Sequence, residues 1–148
     1  MEKEQGAGIL FYQTKPVKRV VLLMRDQKHP NPDKDLPYPG MLDIPGGHRD
    51  EGESFAECIV REIAEEWTDL RTGKPFKLEG FSLFEMLEDN KTIQAVFYKE
   101  MDFDLTDIDY HEGAALVLMN EPAAMRTEIA YGCTELLRRF FKSQFMRG

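Results

Sequence analysis

The chain has 148 residues, 42% of them hydrophobic and 31% charged, which is the size and composition of one globular domain with a single core. Its net charge of -8 counts against a protein that binds nucleic acid or an anionic membrane by bulk attraction. No apolar run approaches the roughly 20 residues of a membrane span, the N-terminus lacks a secretory signal, and the two cysteines form no disulfide framework, so a cytoplasmic protein is expected.

The first part of the chain predicts two strands, a loop and a turn. GILFY and KRVVLLMRD are rich in β-branched and aromatic residues and predict a strand pair at 8–12 and 18–24. HPNPDKDLPYPG follows and holds four of the eight prolines, so it is a stiff loop rather than a helix or a central strand. MLDIPGG is a brief apolar stretch that ends in a Pro-Gly-Gly turn, and a helix follows it.

The second part repeats this order of strands and then a helix. FKLEGFSLFEML and TIQAVFYKEM predict a hairpin joined by EDNK, DFDLTDIDYHEG predicts an acidic loop, and AALVLM predicts a buried strand. From about Glu121 the pattern is helical, with Pro122 suited to the first turn and Gly132 as a weak point. The order predicts one α/β domain over residues 1–148, with a mixed sheet covered by helices on both faces.

The segment GGHRDEGESFAECIVREIAEEWTDL, residues 46–70, predicts an acidic helix. Ser54 and Glu57 have the spacing of a capping box, which places the helix start at about residue 55. At about 100° per residue, one arc of roughly 140° is apolar and predicts the core-facing stripe: Ala56, Ile59, Val60, Ile63, Ala64 and Trp67. The adjacent arc of roughly 100° holds four residues: Cys58, Glu62, Glu65 and Glu66.

Three carboxylates on one strip need compensation. Glutamates at these spacings repel one another by a few tenths of a kcal/mol per pair, and Arg61 neutralises only one of them. A solvated acidic helix face is one explanation. Bound Mg²⁺ or Mn²⁺ is the other, because hard cations prefer oxygen ligands. The preceding PGGHRDEGE favours the metal, since a glycine-rich loop approaches a ligand closely.

This stretch resembles the Nudix box. The pattern of that box is Gly, five residues, Glu, seven residues, Arg-Glu, an aliphatic residue, one residue, Glu-Glu, one residue, Gly and an aliphatic residue. Within residues 47–69, seven positions fall in register: Gly47, Glu53, Arg61, Glu62, Ile63, Glu65 and Glu66. Two positions depart, because Thr68 replaces the glycine and Asp69 the aliphatic residue, whose role Leu70 is expected to take one place later.

The resemblance implies a Nudix-type α/β/α sandwich with a mixed β-sheet and hydrolysis of a pyrophosphate bond with Mg²⁺ or Mn²⁺. It implies Glu62 and Glu66 as the principal metal ligands, with the carbonyl of Gly46 as a backbone ligand. Glu65 is a third ligand or the base that activates water. Glu53 binds metal through water or hydrogen-bonds Arg61, which orients the carboxylates.

Three residues outside the box are weaker candidates. Glu112 lies where many family members carry a further catalytic or metal-binding glutamate; the alternative is an exposed loop carboxylate. Arg25 is placed like a residue that often meets substrate phosphates; the alternative is an ordinary surface arginine. Tyr38, between two prolines, is presented for stacking on a base, or else it packs onto the domain. His48 and His111 are interpreted as loop histidines.

The leading hypothesis is an enzyme that hydrolyses a small nucleotide, with a nucleoside triphosphate, normal or oxidised, favoured because the chain is compact. Hydrolysis of a nucleotide sugar, ADP-ribose or a dinucleotide is the alternative, and a non-catalytic nucleotide-binding domain is a further one. The absence of a basic stripe counts against nucleic acid as the substrate. No membrane partner is expected, and a homodimer is retained as a hypothesis.

Overall fold

The computed structural model describes residues 2–25, 33, 40–111 and 115–146. Ten strands lie among these residues: β1 (Glu4–Gln13), β2 (Arg19–Met24), β3 (Leu42–Asp43), β4 (Gly46–His48), β5 (Trp67–Asp69), β6 (Lys74–Pro75), β7 (Ser82–Glu88), β8 (Thr92–Glu100), β9 (Ile108–Tyr110) and β10 (Ala115–Asn120). The α-helices there are α1 (Phe55–Glu66), α2 (Glu121–Met125) and α3 (Thr134–Phe141). No helix within the described part of the chain is long and apolar enough to cross a membrane.

The chain divides into two compact units, each built from two segments. The first unit comprises Met1–Phe11 and Pro45–His111, and the second comprises Tyr12–Ile44 and Glu112–Gly148. Strand β1 contributes to both units. That residues 1–148 form one domain stays a prediction.

In the first unit, β1 pairs with β8 and, in antiparallel register, with β4, so that Gly6 lies opposite His48 and Gly8 opposite Gly46. Strand β7 completes a hairpin with β8, as predicted, and its register shifts between Leu83 and Glu85. A second, small sheet has the order β6-β5-β9. It directly follows α1, so that the helix and this sheet are joined without a loop.

An aromatic cluster forms the core beneath the small sheet. Trp67 is fully buried, and its ring lies 5.1 Å from Phe11, 5.6 Å from Phe76 and 5.8 Å from Phe103, measured between ring centroids. Burying such large rings together is among the strongest contributions that side chains make to stability. Trp67, which directly follows α1, is therefore anchored in the core, as its apolar pattern predicted.

In the second unit, β2 pairs with β10 along its whole length and with β3 at its end. Antiparallel pairing of Tyr12 with Val20 and of Gln13 with Arg19 joins β2 to the end of β1 and confirms the predicted strand pair. The buried face of α3 packs against this part, where the rings of Phe140 and Tyr12 meet edge-on at 5.4 Å.

The α/β class is confirmed, and two predicted elements need correction. The acidic segment was predicted as a loop, but it contains a 3₁₀ turn at Leu105–Asp107 and strand β9, because β9 pairs with β5. The long C-terminal helix was also wrong, since α2 and α3 are separate helices. Between them Tyr131 and Gly132 take φ values of 59° and 69°, which an α-helix does not accommodate.

Candidate functional site

Helix α1 of the candidate site begins where the sequence predicts. The hydroxyl of Ser54 accepts a hydrogen bond of 3.0 Å from the backbone N–H of Glu57. The carboxylate of Glu57 in turn accepts one of 2.9 Å from the backbone N–H of Ser54. This reciprocal pair satisfies two donors that the helix leaves without an internal partner, and it confirms both the capping box and the start of α1 at Phe55.

The buried face of α1 differs from the predicted apolar arc. Cys58, Ile59, Ile63 and Glu66 are buried, whereas Ala56, predicted in the core, is exposed. The centre of the buried face lies roughly 90° around the helix from that of the predicted arc. The cause is the partner strand: α1 packs on β4, whose glycines leave room for polar side chains. The other side lines an open groove of about 360 Å³, in part with Ala56, Val60, Ala64 and Phe81.

Two positions of β4 have no space for a side chain, because atoms of neighbouring elements approach them closely. A Cβ at Gly46, whose φ is 153°, would lie 2.0 Å from the carbonyl oxygen of Ala7 on the paired strand. A Cβ at Gly47 would lie 2.3 Å from the carboxyl carbon of Glu62. The glycine pair therefore lets β1 and α1 approach β4 from two directions. It seats the Glu62 carboxylate directly against the backbone.

Arg61 is the centre of an ion-pair network. Its guanidinium donates to Glu53 at 2.7 and 3.0 Å, to Glu62 at 2.9 Å and to Glu65 at 3.3 Å. It also donates to the carbonyl of His48 at 2.8 Å and lies 3.2 Å from the carboxylate of Asp50. A planar guanidinium with several N–H donors suits this arrangement, which Lys could not reproduce. The network supports the interpretation of Arg61 as the residue that orients the carboxylates.

The network shifts two pKa values in opposite directions. The hydrogen bonds from Arg61, with one from the backbone N–H of Asp50, lower the pKa of Glu53 to about 2. The same carboxylates raise the pKa of Arg61 above its ordinary value. Both groups are therefore charged at neutral pH, and Glu53 is a weak base there. Burial raises the pKa of the Cys58 thiol to about 12, so this thiol is not a nucleophile at neutral pH.

The three helix carboxylates lie in different environments. The side chain of Glu62 is 14% exposed and that of Glu65 is 58% exposed, and both contact the same nitrogen of Arg61. Glu66 is 6% exposed, and among the residues that the structure describes it is the one charged residue in the buried interior. Burying a carboxylate is costly without compensation by a cation or by donors.

The helix carboxylates have the oxygen donors that a divalent cation prefers, but their side chains do not converge on one point in the structure. Over the described residues, no group of three or more His, Cys, Asp or Glu side chains is close enough to hold a metal ion. The carboxylates of Glu62, Glu65 and Glu66 still supply the hard oxygen donors that Mg²⁺ and Mn²⁺ prefer. Gly47 leaves the space in which the Glu62 carboxylate sits. The carbonyl of Gly46 stays a predicted ligand.

The C-terminal end of α1 shows how the chain accommodates the departures from the box. Trp67 takes the extended conformation φ -119°, ψ 128°, so the helix passes directly into β5 and no left-handed glycine is needed at Thr68. Asp69 accepts hydrogen bonds from the side chain of Arg71. The prediction that Leu70 takes the aliphatic role is wrong, because Leu70 is 56% exposed and Trp67 fills the core here.

Of the three candidate residues outside the box, the structure describes Arg25. Arg25 belongs to the second unit, where its guanidinium contacts Asp43 at 3.2 Å and lies 5.7 Å from the centre of the Tyr131 ring. It is therefore half-buried and ion-paired rather than an ordinary surface arginine, and its contact with phosphate stays a prediction. Tyr38 and Glu112 lie outside the described residues, and so do their predicted roles.

Two residues gained significance only from the structure. His111, interpreted as a loop histidine, contacts Thr68 at the end of α1. Asp43 was not singled out, yet burial raises its pKa to about 6 against the opposing effect of its bonds from Ile44 and Arg25. No sequence signal identifies either residue, because their partners are distant in the chain: Thr68 precedes His111 by 43 positions and Arg25 precedes Asp43 by 18.

Comparison with known proteins agrees with this geometry. The family model of the NUDIX domain matches residues 2–128. The structure is similar to the NUDIX domain of Shewanella oneidensis NrtR in complex with ADP ribose, with a TM-score of 0.73 at 13% identity over 96% of this chain and 88% of that one. It is also similar to a MutT NUDIX hydrolase from Burkholderia pseudomallei (TM-score 0.67, 18% identity, 92% and 95% covered) and to a MutT protein from Methanosarcina mazei (0.64, 22%, 96% and 96%).

At these identities the solved structures show the fold alone, and they confirm the mixed-sheet Nudix fold that the box implied. A search of curated protein sequences gave no match. The family assignment rests on the family model, which spans most of the chain and includes the complete set of box glutamates on α1. The chain belongs to the Nudix family of hydrolases.

Proposed function

We propose that this enzyme hydrolyses a pyrophosphate bond in a nucleoside diphosphate derivative with Mg²⁺, and that its substrate is a nucleoside triphosphate, normal or oxidised. The observation that carries the proposal is the arrangement of Glu62, Glu65 and Glu66 on α1 beside Arg61 and the glycines of β4. This arrangement supplies several anionic oxygens next to a backbone that a phosphate chain can approach closely.

The exposure of each carboxylate on α1 indicates the role that we propose for it. Glu62 and Glu66, the less exposed carboxylates, would hold the metal. The metal would supply neutralisation of the charge that develops on the phosphate oxygens during hydrolysis. Glu65 is the most exposed of the three and can face solvent, so it is the better candidate for taking the proton of the attacking water. As that water's oxygen bonds to phosphorus, the bond to the bridging oxygen breaks.

The role of Glu53 follows from its pKa of about 2. A carboxylate with so low a pKa is a poor proton acceptor at neutral pH, so Glu53 would act on Arg61 rather than on water. Its two short bonds fix the guanidinium, and the guanidinium fixes Glu62 and Glu65. Of the two roles that the resemblance left open for Glu53, the contact with Arg61 is therefore the one that we propose.

The preference for a triphosphate rests on the compact chain, and one of the similar structures supports a second substrate class. The NrtR domain was solved with ADP ribose, which makes ADP-ribose the second candidate. A nucleotide sugar and a dinucleotide remain in the same reaction class.

A substrate panel tests the proposal. The enzyme would be incubated with Mg²⁺ and each of the nucleoside triphosphates, oxidised purine triphosphates, ADP-ribose, a nucleotide sugar and a dinucleoside polyphosphate. Release of pyrophosphate from triphosphates is the expected result, and the Glu62→Gln enzyme serves as the inactive control. Preferential cleavage of ADP-ribose would replace the triphosphate by the second candidate. If no compound is cleaved although several bind, the chain is a binding module and the proposed catalysis is wrong.

A further inference from the structure

The departure of Thr68 from the box pattern coincides with a contact that the glycine could not make. The hydroxyl oxygen of Thr68 lies 2.5 Å from Nε2 of His111. The backbone N–H of the same histidine donates a hydrogen bond of 2.8 Å to the carbonyl of Glu66. One residue, His111, thus holds the chain on both sides of Trp67, where α1 passes into β5.

At this end of α1 the backbone finds hydrogen-bond partners outside the helix. The last carbonyls of a helix have no partner within the helix, and a left-handed glycine commonly supplies the bonds that satisfy them. Here the N–H of Trp67 makes the last helical bond, to Ile63, and the chain then continues in the extended conformation. The carbonyl of Glu66 takes its bond from His111 instead.

The position of this turn matters because it carries the carboxylates. Glu65 and Glu66 are the last two residues of α1, and Glu62 lies one turn before them. A site that acts on a phosphate needs its groups held to about 0.5 Å, and that depends on residues behind the ligands. The β5–β9 ladder pairs Trp67 with Tyr110 and Thr68 with Asp109, and His111 extends it by one position.

We propose that Thr68 and His111 are positioning residues, which hold the last turn of α1 in a fixed geometry, so that Glu66 presents its carboxylate to the metal and Glu65 presents its carboxylate to the attacking water. The inference rests on the proposed function, since that function assigns Glu66 to metal binding and Glu65 to the attacking water. The side chains of Thr68 and His111 contact each other, and the backbone of His111 contacts that of Glu66. The threonine that replaces the glycine of the box thereby acquires a positioning role.

The test uses Thr68→Val, which keeps the β-branched shape but removes the hydroxyl, and Thr68→Ser, which keeps the hydroxyl. His111→Leu removes the ring nitrogen, and His111→Gln places an amide at a similar reach. Thr92→Val is the matched control, because Thr92 is an exposed threonine whose hydroxyl also contacts a side chain, that of Asp89. The measurements are kcat and KM, the dissociation constant of Mn²⁺ from the free enzyme, and the melting temperature.

We expect Thr68→Val and His111→Leu each to lower kcat about tenfold and to weaken Mn²⁺ binding about tenfold, with KM for the nucleotide nearly unchanged, as for other residues that orient metal ligands. Thr68→Ser and His111→Gln should recover most of both quantities, and Thr92→Val should change neither. The double variant Thr68→Val/His111→Leu should be no worse than either single one, because both break the same contact.

Unchanged kcat and Mn²⁺ affinity in Thr68→Val and His111→Leu would overturn the inference. If the melting temperature of these variants is lower at the same time, the two residues have a purely structural role. Mn²⁺ affinity separates this inference from the proposed function. If the wild-type enzyme cleaves nothing in the substrate panel, the proposed function fails. Weaker Mn²⁺ binding in Thr68→Val than in the wild type would still support positioning, because Mn²⁺ binding is measured without turnover.

Discussion

The guanidinium of Arg61 lies among carboxylates from two segments of the chain, the loop before α1 and α1 itself. Each contact offsets part of the repulsion that the helix glutamates would otherwise exert on one another. From the sequence, Arg61 was expected to neutralise one carboxylate, but in the structure it contacts several. This is possible because Arg presents its N–H groups in a fixed fork and because the loop folds back over the helix.

The pKa of Glu53 gives a prediction for stability. Because its folded value of about 2 lies below the ordinary value of 4.5, ionised Glu53 stabilises the fold above pH 4.5, and this contribution is lost as the pH falls through about 2. We expect Glu53→Gln to melt below the wild type at pH 6, with the difference shrinking toward zero near pH 2. Thermal unfolding followed by circular dichroism across this range measures it.

Glu51→Gln is the control for this pH series, since Glu51 is an exposed carboxylate of the same loop. Its melting temperature should follow that of the wild type at every pH. A difference between Glu53→Gln and the wild type that stays constant from pH 6 to pH 2 would contradict the assigned cause.

Glu62 and Glu66 give the sharpest catalytic prediction. Changing either to Gln keeps the shape of the side chain but removes the charge proposed to hold the metal. We expect kcat to fall by about 10²-fold or more, as for the removal of one strong electrostatic contributor, with folding retained. Glu57→Gln is the matched control, because it removes a charge from the same helix while a glutamine still completes the capping box. Near-wild-type rates in both Glu62→Gln and Glu66→Gln would show that α1 is not the catalytic helix.

The start of α1 depends on its cap, and this gives a prediction for the helix. Ser54→Ala removes the acceptor of the Glu57 N–H and should destabilise the protein by about 1 kcal/mol. Ser54→Asp keeps an acceptor and should retain the wild-type stability. Denaturant unfolding of the three proteins measures the difference. If Ser54→Ala unfolds at the wild-type denaturant concentration, the loop bonds of Arg49 to Gln5 and to the carbonyl of Glu53 suffice to hold the start of the helix.

Helix α1 also shows how far sequence reasoning reaches. Its start, its cap and the register of its glutamates were predictable, because each depends on residues within a few positions of one another. Its buried face was not, since periodicity defines an apolar arc but not which arc meets a strand of glycines. Cys58 lies on the buried face of α1, where its thiol contacts the carbonyl of Gly47 in β4, and that contact is a property of the tertiary fold.

Across the whole chain, the same distinction separates what was predicted from what was missed. The strands of the β7–β8 hairpin are neighbours in sequence, and two strand-like runs joined by the turn EDNK indicated them. Strand β9 was missed because it exists by pairing with β5, some 40 residues away, and because its three residues lie in a segment rich in Asp, which strands disfavour. The division of the C-terminal helix was foreshadowed only by Gly132, whereas Tyr131 takes a left-handed conformation that few non-glycine residues adopt.

The last prediction concerns the response of the entire molecule to cations. With a net charge of -8, any salt relieves repulsion, so a gain in stability with Mg²⁺ alone would not show a site. A ligand at 100 times its dissociation constant stabilises the native state by about 2.7 kcal/mol, which is several degrees in melting temperature for a domain of this size. We therefore expect Mg²⁺ to raise the melting temperature of the wild type by several degrees over NaCl of equal ionic strength. Glu62→Gln should respond to the two salts alike, because it keeps most of the net charge but loses a ligand. In parallel, EDTA should abolish hydrolysis and added Mg²⁺ should restore it; full turnover in the chelator would remove the metal from the mechanism.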